Sequence, residues 1–163
     1  MISKKTEIPT EIVKDLFANE TGYQTPKIDT RAAIFENDKI LLVQEKNGTW
    51  SLPGGWCDIN VSVKENIIKE VKEEAGVDVE VELLIAVQDR AKHNLPPYPY
   101  AVNKQFFLCR AYGGAFEENI ETIESKYFDI DELPKLAEEK NNEEQIKMCY
   151  RAYKSSGWTT LFE

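Results

Sequence analysis

The sequence contains few of the residues from which several common kinds of active site are built. Histidine occurs once among 163 residues, at His93. A single histidine excludes a metal site made of several imidazoles, and any Ser–His–Asp triad would have to use it. The chain also has no glycine–serine elbow to present a nucleophilic serine. We therefore do not expect a serine hydrolase. His93 either touches phosphate or has no functional part, and the second is more typical of a loop histidine.

Cysteine is also scarce, with three residues at Cys57, Cys109 and Cys149. Their number is odd and their spacing is wide, with no metal-ligand pattern, so reduced thiols in a cytoplasm are expected. The chain lacks an apolar run long enough to cross a bilayer, and Met1–Lys5 lead into polar residues rather than a signal peptide. We expect a cytoplasmic protein without a membrane partner.

Basic residues are outnumbered, 20 against 29 acidic ones, which gives a net charge of −9. This excess of negative charge argues against nucleic acid as a partner. It would also repel a polyphosphate, unless bound divalent cations reversed the sign locally. Five scattered basic residues are available to meet phosphate, although each is more typical of a solvated surface charge: Arg31, Arg90, Lys92, Lys104 and Arg110. Of these, Arg31 and Arg90 are our candidates for substrate binding.

The length and the composition, 42% apolar and 30% charged, predict one globular domain. Two helices on opposite sides of a group of strands predict an α/β/α sandwich around a mixed sheet. The predicted elements are, in chain order, a helix at 10–17, a polar linker at 21–27, strands at 30–35 and 39–44 joined by a tight turn at Asn37–Asp38, one bent strand or two at 77–88, a proline-rich loop at 90–100, strands at 101–112 and 125–129, a helical turn at 131–136, and a final helix capped by Asn142.

The segment from Gly54 to Val77 is the most informative part of the chain. Ser62 is a good helix N-cap, and Glu65 three residues later completes a capping box. Gly76 follows as a C-terminal cap, so the sequence predicts a helix over 62–75. At about 100° per residue, one face of this helix is apolar and the opposite face carries three carboxylates. The carboxylates are Glu70, Glu73 and Glu74.

The acidic face alone leaves two interpretations open, a solvated face of an amphipathic helix or a metal site. The preceding loop, Pro53-Gly54-Gly55, favours the second. Paired glycines let the backbone approach a bound ion closely. Three carboxylates with the Gly54 carbonyl form an all-oxygen site, which suits Mg²⁺ or Mn²⁺.

This segment resembles the signature of the Nudix hydrolases, which has a glycine, a glutamate six positions later, and an arginine–glutamate run ending in a glutamate pair and a glycine. Seven positions match: Gly55, Glu70, Val71, Glu73, Glu74, Gly76 and Val77. Two positions depart, because Val61 replaces the first glutamate and Lys69 replaces the arginine. The resemblance covers 23 residues, and Leu52–Trp56 before it is also similar to the family.

The resemblance implies a Nudix α/β/α sandwich with metal held by the Gly54 carbonyl, Glu70, Glu73 and Glu74. Glu70 would act as the catalytic base, or a glutamate from a later loop would, for which Glu121 and Glu124 are candidates. Lys69 would still form a salt bridge with a neighbouring glutamate, and Asp58 would stand in for the missing one. Trp56 is either structural or a wall of the substrate pocket, and it is our third candidate for substrate binding. Tyr98 and Tyr100 either stack on a base or pack the proline loop.

Three further stretches resemble a bacterial Nudix branch whose members are labelled ADP-ribose pyrophosphatase-like, some of which hydrolyse CDP-choline: 23–33, 50–60 and 92–97. That branch carries a longer helical amino-terminal extension that helps dimers to form. We therefore expect a short helical extension and linker at 1–24, a Nudix domain at 25–163, and a homodimer.

The expected function is metal-dependent hydrolysis of the diphosphate bond in a nucleoside diphosphate linked to another group, X. A nucleotide-binding sensor that has lost catalysis is the alternative. Val61 and Lys69 favour the sensor, whereas the intact Glu70, Glu73 and Glu74 oppose it.

Overall fold

The computed structural model describes residues 8–18 and 24–163. The predicted linker at 21–27 lies partly outside these residues. The elements are α1 Thr10–Ala18, β1 Lys27–Glu36, β2 Lys39–Glu45, β3 Trp50–Ser51, β4 Gly54–Trp56, α2 Val63–Ala75, β5 Val77–Asp89, α3 Arg90–His93, β6 Val102–Gly114, β7 Thr122–Phe128, α4 Glu143–Lys154 and β8 Leu161–Phe162.

The strands form one mixed sheet in the order β3-β2-β1-β6-β5-β8, with β4 paired to β1 and β7 paired to β2. The centre of the sheet is parallel, since residues 27–34 of β1 align with residues 102–109 of β6. The β1–β2 hairpin turns at Asn37 and Asp38, whose φ angles of 50° and 62° fit the predicted tight turn. The mixed sheet confirms the predicted fold class.

Two apolar layers cover the two faces of the sheet. Successive residues of a strand point to opposite faces, so Ala33 and Ala32 belong to different layers. The layer on one face contains Ile146 and other residues of α4. The layer on the other face contains Ile67 and other residues of α2. The helices therefore lie on opposite sides of the sheet, as the sequence predicted.

Both ends of α2 follow from the sequence. The Ser62 hydroxyl accepts the Glu65 N–H at 3.1 Å, and the Glu65 carboxylate accepts the Ser62 N–H at 2.7 Å. Gly76 ends the helix with φ 70°, a left-handed conformation. A Cβ at Gly76 would also lie 2.1 Å from the Ala115 carbonyl oxygen. Glycine is therefore required at this position for two reasons.

Several predicted elements were wrong. Residues 131–136 are not helical, because Leu136 forms a parallel bridge with Trp50 and the Trp50 N–H donates to the Lys135 carbonyl at 2.9 Å. The predicted loop at 90–100 begins with one helical turn, α3, capped by Asp89. Strands β3, β4 and β8 were missed, because each has only two or three residues and is held by pairing with a longer strand.

No helix among residues 8–18 and 24–163 is both long and apolar enough to cross a membrane. All three cysteines are free thiols.

Candidate active site

A cleft of about 400 Å³ opens where β4 and α2 meet the first residues of β1 and β6. One wall is acidic, the floor is basic and the rim is aromatic. The residues that line it are Asp29, Arg31, Gly54, Gly55, Trp56, Glu70, Glu74, Arg90, Tyr98, Val102, Lys104, Glu121, Glu139 and Lys140.

The acidic wall is built from Glu70 and Glu74, one turn apart on α2. Glu74 is buried, and its Oε2 accepts the Gly54 N–H at 3.0 Å. Burial raises the pKa of Glu74 to about 7, assisted by Glu70 and opposed by Arg31. Burial also raises the pKa of Glu70, with Glu73 and Glu121 adding to it and Lys69 opposing it. Both carboxyl groups are thus partly removed from water, and the pKa of each is raised further by a neighbouring carboxylate.

Glu121 enters the cleft from the loop before β7, which is fastened to the end of α2. The Thr122 hydroxyl donates to the Glu74 carbonyl at 2.7 Å, and Asn119 Nδ2 donates to that hydroxyl at 2.7 Å. Asn119 Oδ1 accepts the N–H groups of Glu121 and Thr122 at 3.0 and 2.9 Å. The other candidate, Glu124, is a residue of β7 and lies opposite Gln44 of β2 in the sheet. It does not line the cleft.

Glu73 and Lys69 lie outside the cleft lining. The Glu73 side chain is 60% exposed and borders a different hollow on the outer face of α2. Lys69 Nζ lies 2.5 Å from Asp58 Oδ2, 3.4 Å from Glu70 Oε1 and 3.9 Å from Glu73 Oε2. Lys69 thus bridges neighbouring carboxylates as expected. Asp58 is engaged with Lys69 and does not line the cleft, so it does not replace the missing glutamate there.

The floor of the cleft is a buried ion cluster. Asp29 accepts Arg31 Nε at 3.0 Å, Arg31 Nη2 at 2.8 Å and Lys104 Nζ at 2.6 Å. The exposed fractions of Asp29, Arg31 and Lys104 are 2%, 4% and 1%. Burial alone would raise the pKa of Asp29, but the two cations lower it to about 2. Burial lowers the pKa of Lys104 to about 8, partly offset by Asp29. Two cations share one carboxylate, which leaves positive charge beneath the cleft.

This floor corrects the expectation that the scattered basic residues are solvated surface charges. That expectation was wrong for Arg31, Arg90 and Lys104, which are buried, and right for Lys92 and Arg110, which are exposed. The parallel register of β1 and β6 places Lys104 directly beside Asp29, and Arg31 lies two residues further along the same face. A pairing between residues so far apart leaves no local sequence signal.

The rim carries an aromatic cluster next to Arg90. Arg90 donates to the Glu139 and Pro96 carbonyls at 3.1 and 3.0 Å, and its guanidinium lies 4.9 Å from the centre of the Tyr98 ring. The rings of Trp56, Tyr98 and Tyr100 stand 5.5 to 6.4 Å apart, and Trp56 is 43% exposed. The cluster thus presents partly open aromatic surface at the mouth of the cleft.

The glycine loop brings backbone close to the acidic wall. A Cβ at Gly55 would lie 3.0 Å from Glu70 Oε2, and a Cβ at Gly54 would lie 1.9 Å from the Thr30 carbonyl oxygen. Within the part of the chain that the structure describes, no three ligating side chains are preassembled around one point. The donor chemistry nevertheless fits a hard divalent cation, since the wall supplies several carboxylate oxygens and borders glycine backbone that carries no side chain.

The chain is similar to several known proteins. The sequence model of the NUDIX domain matches residues 26–149. A Bacillus subtilis protein, provisionally named an ADP-ribose pyrophosphatase, is 42% identical over 164 aligned positions that cover 100% of this chain and 79% of that protein. An ADP-ribose pyrophosphatase of Methanocaldococcus jannaschii is 31% identical over 119 positions, 71% of this chain and 69% of the relative.

Two solved structures also match closely. The crystal structure of an ADP-ribose pyrophosphatase from Streptococcus suis has a TM-score of 0.80 at 55% identity and covers 85% of this chain and 100% of that one. A UDP-X diphosphatase has a TM-score of 0.81 at 34% identity and covers 99% of this chain and 79% of that one. Since the domain match spans most of the sequence and a relative aligns along all of it, the chain belongs to the Nudix hydrolase family.

Proposed function

We propose that the protein hydrolyses the diphosphate bond of a nucleoside diphosphate linked to a group X, such as ADP-ribose or CDP-choline, in the presence of Mg²⁺ or Mn²⁺. The products would be two phosphorylated fragments. The observation that carries this proposal is one cleft that is lined by the carboxylates of Glu70, Glu74 and Glu121 and also by the buried cations Arg31 and Lys104. The names of the related pyrophosphatases support the same substrate class.

The metal would be held by the carboxylates of Glu70 and Glu74 with the Gly54 carbonyl, and Glu73 would join from the outer side of α2. When bound, it would neutralise charge on the phosphoryl oxygens and lower the pKa of the attacking water. Glu70 or Glu121 would accept the proton of that water, since both carboxylates line the cleft. Lys69 would orient Glu70 through their 3.4 Å ion pair.

The diphosphate would lie over the floor, where Arg31 is already fixed by Asp29 and by the Leu52 carbonyl at 3.1 Å. A cation that is already oriented loses little side-chain freedom when an anion binds. Arg90 would contact the substrate from the rim. The base would stack on Trp56 or Tyr98, an interaction worth about 1–3 kcal/mol per base.

We also propose that residues 1–24 are an extension to the domain at 25–163, and that the protein is a homodimer. The helix α1 is consistent with the extension, and the branch that the sequence resembles supports the dimer. Sedimentation at micromolar concentration tests this, and a monomer alone would reject the dimer.

The experiment that tests the activity is release of nucleoside monophosphate from a panel of dinucleoside, sugar and alcohol diphosphates. ADP-ribose and CDP-choline are included, each with Mg²⁺, with Mn²⁺ and with a chelator. We expect metal-dependent release from one or two members of the panel. If no member of the panel releases product, the assignment as a hydrolase of this substrate class is rejected.

The alternative is a nucleotide-binding sensor, which the departures at Val61 and Lys69 favour. In that case a panel member would raise the melting temperature of the protein without being hydrolysed.

A further inference from the structure

A second hollow, of about 430 Å³, lies on the other side of the acidic wall. It shares Glu74, Glu121 and Lys140 with the cleft, so the two spaces meet at the carboxylates. Its far side is formed by the end of β2, by β3 and by the turn between them. We call it the hairpin hollow, and its distinguishing residues are Glu45, Lys46, Asn47 and Ser51.

The chemistry of the hairpin hollow differs from that of the rim. It contains carboxylate, amide, hydroxyl and ammonium groups, and Val43 is its one apolar member. Glu45 Oε1 pairs with Lys140 Nζ and accepts the Ser51 hydroxyl at 3.4 Å. No aromatic ring lines it within the described part of the chain, so it offers no face for a quaternary ammonium group. The lining thus contains both hydrogen-bond donors and hydrogen-bond acceptors. This mixture suits hydroxyl groups, because a hydroxyl can both donate and accept a hydrogen bond.

The turn that carries these groups is internally braced. Asn47 Oδ1 accepts the Thr49 N–H at 2.9 Å and the Thr49 hydroxyl at 2.7 Å. The Glu45 N–H donates to the Thr49 carbonyl, and the Gly48 N–H donates to the Glu45 carbonyl, both at 2.9 Å. Because the Asn47 carbonyl is already used, its amide nitrogen is the group left to donate to a ligand. A braced turn holds its polar groups in place before a ligand arrives.

We propose that the hairpin hollow is the subsite for X, that X is a polyhydroxylated group such as a sugar, and that the base lies at the opposite end on the aromatic rim. This inference rests on the proposed function, because it requires the diphosphate to span the carboxylates. It assigns the choice of X to Glu45 and Asn47, and the choice of base to Trp56.

The test is a crossed substrate panel measured with the full-length protein and Mg²⁺. One series keeps ADP and varies X among ribose, glucose, choline and methyl. The other keeps glucose and varies the base among adenine, uracil, cytosine and guanine. We expect kcat/KM to favour the sugars over methyl by about tenfold or more, since a hydrogen-bonding site rejects an analogue that leaves its groups unpaired.

The variants Asn47→Ala and Glu45→Gln should narrow the sugar-to-methyl ratio by about fivefold and leave the ratios between bases unchanged. Trp56→Ala should change the ratios between bases and leave the sugar-to-methyl ratio unchanged. Glu36→Gln, an exposed glutamate at the other end of the β1–β2 hairpin, is the matched control and should change neither. Melting temperatures confirm that each variant is folded.

The results distinguish a failure of the proposed function from a failure of the subsite inference. If no panel member is hydrolysed, the proposed function itself is wrong. If the panel is hydrolysed but both hollow variants keep the wild-type sugar-to-methyl ratio, the hairpin hollow is not the X subsite. A reversed pattern, in which the hollow variants change base preference, would place the substrate in the opposite direction and overturn the inference equally.

Discussion

The buried ion cluster of Asp29, Arg31 and Lys104 makes a strong prediction about stability. Asp29→Asn preserves shape but removes the only negative charge that the two buried cations contact by hydrogen bond within the described residues. Removing one partner from a buried ion pair costs about 3–5 kcal/mol, because the other charge stays buried without compensation. For a chain of this size, each kcal/mol lowers the melting temperature by about 2–4 °C. We therefore expect a loss of about 6–20 °C.

The pH dependence follows from the low pKa of Asp29. A folded pKa of about 2 against an ordinary value of 3.8 means that the ionised form stabilises the fold. At about 1.4 kcal/mol per pKa unit, this contribution is on the order of 2 kcal/mol at neutral pH. It is fully present above the unfolded pKa and is lost as the pH falls through the folded one. As the pH falls from about 4 towards 2, the difference in unfolding free energy between wild type and Asp29→Asn should therefore shrink, because Asp29 becomes protonated in the wild type.

The assay is urea unfolding monitored by circular dichroism, with Glu80→Gln as the matched control. Glu80 pairs with Arg110 on the surface, where both side chains are exposed, and such pairs contribute about 0–1 kcal/mol. If Asp29→Asn were no less stable than Glu80→Gln at pH 7, Asp29 would not be offsetting the charges of the two buried cations. The proposal that these cations form a basic floor for the diphosphate would then be unsupported.

The remaining predictions concern the acidic wall and its supports. Glu73→Gln and Glu74→Gln should each reduce kcat by about a hundredfold or more at saturating Mg²⁺, if both ligate metal; intact activity in Glu73→Gln would remove that exposed residue from the ligand set. Thr122→Val should lower kcat by about fivefold, because it releases the loop that carries Glu121, one of the two candidate bases, whereas Thr122→Ser should not. Gly54→Ala should lower the melting temperature sharply, since its Cβ would lie 1.9 Å from the Thr30 carbonyl oxygen at φ 152°. Gly113→Ala, whose Cβ would meet nothing nearer than 3.7 Å, should have a small effect in the same thermal scan.

The parts of the fold that the sequence predicted well are those specified by neighbours in the chain. The capping box of α2 joins residues three apart, and the turn at Asn37–Asp38 uses two residue types that tolerate positive φ. Both signals involve residues that are close together in the chain, so both are visible in the sequence. The acidic face of α2 follows in the same way from helical spacing, although spacing did not show that Glu73 points away from the cleft.

The parts that it predicted poorly depend on pairing between distant residues. Glycine has a low strand propensity, yet Gly54–Trp56 is a strand because residues 29–31 of β1 pair with it. Residues 131–136 have turn and helix formers, but the segment begins as a turn and ends paired with the backbone of Trp50 instead of forming a helix. The basic floor depends on the parallel register of β1 and β6 for the same reason. In each case tertiary contacts override local preference.

The two departures from the family signature, Val61 and Lys69, both lie outside the candidate active site, and neither lines the cleft. Val61 lies before α2 and is partly exposed. The glutamate that it replaces would therefore lie outside the acidic wall. Lys69 keeps an ion pair with Glu70, as an arginine there would, and gains one with Asp58. A sensor that had lost catalysis would be expected to lose charges inside the cleft, where Glu70, Glu74, Glu121 and the basic floor are all in place. The location of the changes therefore favours the hydrolase over the sensor.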